Sequence, residues 1–189
     1  MEGTEVWEKL LRKRVVCLSS DIDAEMVGKI GSSIMTLNLE SPDEIKMIID
    51  SGGGKIVSSL KLVDFIKISK APVTAIVIGA CSSSAVNVLE ACHKRLSMPH
   101  SRFFLHFASH NDFGYNAGQS ESAIIGILRK EIRGTKMLQR ALEDLILAQT
   151  NISRGELRRL MRDGGTRLNA QEALKIGLID EIVEKYDLF

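Results

Sequence analysis

The 189 residues carry 25 Lys and Arg against 24 Asp and Glu, a formal charge of +1. That balance excludes the basic face a nucleic-acid binder needs, and no apolar run approaches the ~18 residues of a membrane span. The length suits one domain spanning residues 1–189.

Met1-Glu-Gly-Thr-Glu-Val-Trp7 is acidic and lacks the basic-then-apolar order of a secretory leader. Val6 to Leu11 reads as a short amphipathic helix, and Arg14–Leu18 as a buried strand. Asp23 caps a helix whose apolar positions Met26, Val27, Ile30, Ile34 and Leu37 share a face. Ile45–Asp50 is a second strand, closed by Ser51-Gly-Gly-Gly54. Three glycines after a strand let the backbone approach a ligand closely. The spacing is not that of a phosphate-binding loop, so the useful property of the turn is an exposed N–H for an oxyanion. A helix from Ile56 to Ile66 follows.

Val73–Ile78 is an apolar, β-branched strand, followed by Gly79-Ala-Cys-Ser-Ser-Ser84 and an apolar helix. A serine at such a strand–helix corner meets free backbone N–H groups and the positive end of the helix dipole. It could equally be a plain N-cap in close packing. Phe103–His106 is a further strand ending on an imidazole, the base a serine nucleophile requires. Asn111–Gly118 reads as a mobile loop. From Ser120 to Gln149 runs one helical pattern with Ile124, Ile127, Leu128, Ile132, Leu138, Leu142, Leu145 and Ile146 as its apolar stripe. A helix of ~30 residues is ~45 Å long, so its far half needs a partner subunit to cover the stripe. Asn151–Glu156 caps a short helix, Arg162–Thr166 is a turn, and Asn169…Glu172 is a capping box.

Cys17, Cys81 and Cys92 are odd in number and unpatterned, and read as reduced, mostly buried thiols of a cytoplasmic protein. Cys92, His93, His100, His106 and His110 lack the usual zinc spacings, so neither a metal nor another cofactor is expected.

The order of these motifs resembles the proteolytic subunit of the Clp protease family, from about Trp7 to Ile182. The likeness rests on Leu10-Leu-Arg-Lys-Arg-Val-Val16, Ser51-Gly-Gly-Gly54, a serine four residues after Gly79, Pro99-His-Ser-Arg102 leading to His106, and Ala170-Gln-Glu-Ala…Gly177-Leu-Ile-Asp180. The resemblance implies an α/β fold of stacked ββα units, a ClpP/crotonase-like spiral. Its head would span about 1–110 and 150–189, and a protruding handle helix about 111–149. It implies an ATP-dependent serine endopeptidase with Ser83 as nucleophile, His106 as base and the N–H groups of Gly54 and Ser84 as oxyanion hole. It further implies a homo-oligomer of two stacked heptameric rings that encloses peptide substrates. Two departures stand out. Gly165 occupies the position of the third triad member, and Asp163, two residues upstream, is the acid left to orient the imidazole. The resemblance also implies an AAA+ unfoldase as partner, but the segment before the first helix is shorter than the roughly twenty residues the family places at its axial pore, which counts against that docking. Two other readings follow. One is a non-catalytic ring subunit with an incomplete triad. The other is a crotonase-type acyl-CoA enzyme, for which the Gly-rich turn and serine corner supply no carboxylate.

Overall fold

The computed structural model describes residues 2–109, 118 and 120–188. Strands and helices alternate. α1 (Glu2–Arg12) leads into β1 (Val15–Leu18), α2 (Ala24–Glu40), β2 (Ile45–Ser51), α3 (Ile56–Ile68), β3 (Val73–Ser82) and α4 (Ser84–Ala91). β4 (Lys94–Ser97), β5 (Arg102–Leu105), α5 (Glu121–Leu147), α6 (Arg154–Met161), β6 (Thr166–Asn169), α7 (Ala170–Lys175) and β7 (Glu181–Ile182) complete the order. The expected mobile loop at Asn111–Gly118 lies outside the described residues, apart from Gly118.

β1, β2, β3, β4 and β7 pair in that order, all parallel. Parallel sheets are covered on both faces, so their strands read as continuous apolar runs. Val16, Leu18, Met47, Ile49, Val73, Ala75 and Val77 are all buried. α2 lays Val27, Ile30, Ile34 and Leu37 on this core and is capped as the sequence predicts, with Asp23 Oδ1 accepting the Met26 N–H at 2.8 Å.

The sheet forks along β3. Its first half, Thr74–Val77, pairs with β4, while its last residues, Ala80–Ser82, pair with β5. Between them the β2–β3 register slips, and Gly79 takes a φ of +107°. The bend leaves the Ala80 N–H to a side chain, and the Asp50 carboxylate accepts it at 2.8 Å. β5 in turn pairs antiparallel with β6.

β4 and β6 are strands the sequence reading passed over. β4 is Lys-Arg-Leu-Ser, too short and too charged for an apolar run to announce it. Its Arg95 is buried because Glu90, Asp180 and the Gly177 carbonyl surround the guanidinium. β6 directly follows two glycines, and its pairing with β5 is more than sixty residues away in sequence.

α5 is one unbroken helix of 27 residues, N-capped by Ser120. Leu142, Glu143 and Ile146 near its C-terminal end are buried, while Ile125, Ile132 and Met137 are exposed.

Candidate active site

The fork in β3 is what turns the serine corner toward β5. Ser82 pairs with Phe104, and the next N–H, that of Ser83, donates to the Phe104 carbonyl at 2.8 Å. Ser83 is therefore carried past the end of the main sheet and held there. Its φ is +55° and its ψ −127°, a backbone region that L-residues avoid. Strain of this kind persists where the surroundings over-determine it, and it clusters at functional sites. α4 starts at Ser84, so the Ser84 N–H is one of the orphan donors of a helix N-terminus.

The three serines are not equivalent. The Ser84 hydroxyl donates to the Gly54 carbonyl at 3.1 Å and so clamps the glycine turn to the corner. The Ser83 hydroxyl has no hydrogen bond among the described residues. Gly53 packs so closely here that a Cβ on it would lie 2.8 Å from the Ser83 Cβ and 3.0 Å from the Ser84 nitrogen. Gly54 passes equally close to the Ile22 backbone. Ile22 N–H donates to Gly53 and its carbonyl accepts from Lys55, both at 2.8–2.9 Å, which steps over Gly54 and leaves its N–H unused. The glycine run thus lies against the serine corner, through the close packing of Gly53 and the hydrogen bond on the Gly54 carbonyl.

His106 follows β5 and lines the same cleft as Ser83 and Ser84. No hydrogen bond joins His106 to Ser83 in this conformation. The imidazole stacks on Phe104, with centroids 5.0 Å apart, and the Arg167 guanidinium covers the other ring at 4.8 Å. Its Nδ1 lies 2.7 Å from the Phe107 carbonyl. A carbonyl only accepts, so Nδ1 carries a proton, and in the neutral imidazole Nε2 then presents its lone pair.

Gly165 sits against this histidine. A Cβ there would lie 2.5 Å from the Leu105 carbonyl and 2.7 Å from the His106 Cβ, and its φ is +90°. No side chain fits, so the missing acid is a consequence of backbone contact. Asp163, the acid expected to orient the ring, is exposed at a φ of +54°. Among the described residues it makes no hydrogen bond or ion pair to His106. The partner that Nδ1 has in this structure is the Phe107 carbonyl.

Sequence reasoning missed the far wall of the cleft. Gln139 of α5 accepts the Ala108 N–H at 2.8 Å and donates to Glu143 at 3.3 Å. Glu143 is fully buried, and Arg154 and Arg158 hold it at 2.7–3.2 Å. Burial alone would raise its carboxyl. The hydrogen bonds from Arg158, Arg154 and Gln139 outweigh that and hold it below its ordinary range. Positions 139 and 143 are four apart on one helix face, the one signal that could have linked them.

The profile of the Clp protease family matches residues 1–186. The fold superposes on a point mutant of ClpP1 from Listeria monocytogenes with a TM-score of 0.83. The match covers 97% of this chain and 98% of that one, at 23% identity, a level that speaks for the fold. A profile match over nearly the whole length, on the fold of that solved structure, means that this chain belongs to the Clp protease family.

Proposed function

We propose that the chain is a serine endopeptidase of the Clp type. Ser83 Oγ attacks the scissile carbonyl while His106 Nε2 takes its proton. The oxyanion accepts hydrogen bonds from the Gly54 and Ser84 N–H groups. The imidazolium then protonates the departing amine, leaving an acyl-enzyme on Ser83. Water, deprotonated by His106, releases the acyl group and restores the serine. The Phe107 carbonyl takes the part of the triad acid and holds the base-competent tautomer. A neutral carbonyl stabilises an imidazolium less than a carboxylate does, so turnover is slower than in an enzyme with a full triad. No hydrogen bond joins Ser83 and His106 in this conformation, and catalytic hydrogen bonds commonly tighten only when substrate binds.

The observation that carries this reading is Ser83 itself. It is the one corner serine in strained backbone, with its hydroxyl uncommitted, next to two unused N–H groups. A fluorophosphonate probe should label Ser83, and Ser83→Ala should lower peptide hydrolysis at least ~10³-fold. Labelling of Ser82 or Ser84 instead, or of no serine, overturns the assignment.

Gly165 and the absence of a Ser83–His106 hydrogen bond favour one other reading, a ring subunit that does not cleave. Hydrolysis by the purified homo-oligomer that disappears in Ser83→Ala excludes it. In either case the subunits form two stacked rings of seven in the cytoplasm, joined through α5 as a handle. An AAA+ unfoldase is the partner that would feed them. ATP-dependent degradation of a folded substrate, seen only when the unfoldase is present, is its test.

A further inference from the structure

We propose that Gln139 is a positioning residue for His106: it holds the peptide unit on which the imidazole proton rests, and is itself held by the Glu143 clasp. This rests on the Ser83 and His106 reading above.

His106 Nδ1 donates to the Phe107 carbonyl at 2.7 Å. That carbonyl and the Ala108 N–H belong to one planar peptide unit, so whatever fixes the N–H fixes the carbonyl. Gln139 Oε1 accepts the Ala108 N–H at 2.8 Å. The amide has one orientation here, because half a turn would set Nε2 against another donor. Nε2 is left to donate, and it reaches Glu143 Oε1 at 3.3 Å, with Met161 Sδ beside it at 3.5 Å. Glu143 ends the series. It is fully buried, and Arg154 and Arg158 grip its carboxylate from α6.

The histidine needs this support because its own element does not supply it. β5 ends at Leu105, and no sheet ladder continues through the peptide units that follow. An acid cannot stand beside the ring, since Gly165 leaves no room for a side chain. Gln139 ties the 107–108 unit to a helix instead, through an amide whose far end is anchored on a charge. Every donor in the series points away from the ring. The bonds therefore polarise one another in the same sense, and the Phe107 oxygen meets the Nδ1 proton with more negative charge than a lone carbonyl has. Orientation of the ring and support of the imidazolium are the two tasks of a triad acid. The Gln139 series performs the first and contributes to the second.

The test compares Gln139→Met with Gln139→Glu. Met keeps the length and helix propensity of Gln but accepts no strong hydrogen bond. Glu keeps an acceptor at the same place, and two carboxyl groups as close as residues 139 and 143 share one proton, so the donor is kept too. Each variant, as the assembled protein, is assayed for peptide hydrolysis and for the rate and final extent of fluorophosphonate labelling at Ser83. Gln139→Met should lower kcat and the labelling rate constant about 10²-fold, with KM changed less than about twofold and labelling still complete. Gln139→Ala, a second loss variant, should behave alike, and Gln139→Glu should recover most of the rate. A purely structural role would instead shrink the extent of labelling, through a smaller folded fraction, at an unchanged rate constant. That result overturns the proposal. So does Ser83-dependent turnover that the loss variants leave intact, a change in KM alone, or a Gln139→Glu protein as slow as Gln139→Met. Each of these leaves the peptidase reading standing. An unmutated protein that neither labels at Ser83 nor hydrolyses peptide refutes that reading, and the role of Gln139 with it.

Discussion

Ser83, Asp163 and Arg14 are the non-glycine residues with positive φ among those described. Arg14 is explained by its side chain, which donates to four backbone carbonyls around Leu37 and Glu44. Asp163 has no such anchor. If the Phe107 carbonyl orients the ring, Asp163→Asn should change kcat/KM and its pH profile by less than about twofold. Loss of an orienting acid costs several orders of magnitude, so a drop of that size would restore Asp163 to the triad. Gly165 is the tighter constraint. Gly165→Ala places a Cβ against the Leu105 carbonyl in backbone that disfavours it. Denaturant melts should show a loss of about 1–3 kcal/mol, and unchanged stability would mean that β5 and β6 can separate freely.

At the scale of elements, one buried network ties the end of α4 to β4 and the turn before β7. Arg95 Nη1 donates to Glu90 at 2.7 Å and to the Gly177 carbonyl at 3.0 Å, and Arg95 also engages Asp180. Glu90 Oε1 is left without a partner. Burial pushes its carboxyl from 4.5 up to about 8, with Arg95 pulling the other way. The folded state therefore binds this proton more tightly than the unfolded state. Its contribution to stability is complete below about pH 4.5, declines as pH rises, and is gone above about 8. Thermal melts at intervals between those values should show the decline, and Glu90→Gln should flatten it. Parallel slopes in the two proteins would mean that Glu90 stays ionised beside Arg95. The clasp of Arg154 and Arg158 on Glu143 works differently, because it fixes the inner end of α5 to α6.

For the molecule as a whole, the outer end of α5 is the conspicuous feature. Ile132 is 50% exposed and Met137 69% exposed on a helix whose inner turns are buried. Ile125, seven residues before Ile132 and on the same face, is also exposed, and an exposed apolar face of this kind is what an interaction site presents. If α5 joins two stacked rings as proposed, Ile132→Asp should shift sedimentation from the double ring toward half-size or smaller species without changing the circular dichroism of the subunit. Sedimentation that is unaffected would place the ring–ring contact elsewhere. No helix among the described residues is long and apolar enough to cross a membrane.

The sequence by itself determined the alternation of strands and helices, the caps at Asp23, Ser153 and Asn169, the serine corner and the glycine turn. Each is a local matter of period, capping chemistry or glycine, and each is written within a dozen consecutive residues. What only the tertiary structure decided depends on distant pairing. β4 and β6 exist because partners far along the chain complete them. Gly165 excludes an acid because β6 returns against His106. The Phe107 carbonyl meets His106 Nδ1 because the fold sets it there, and a residue's letter does not record which hydrogen bonds it will make.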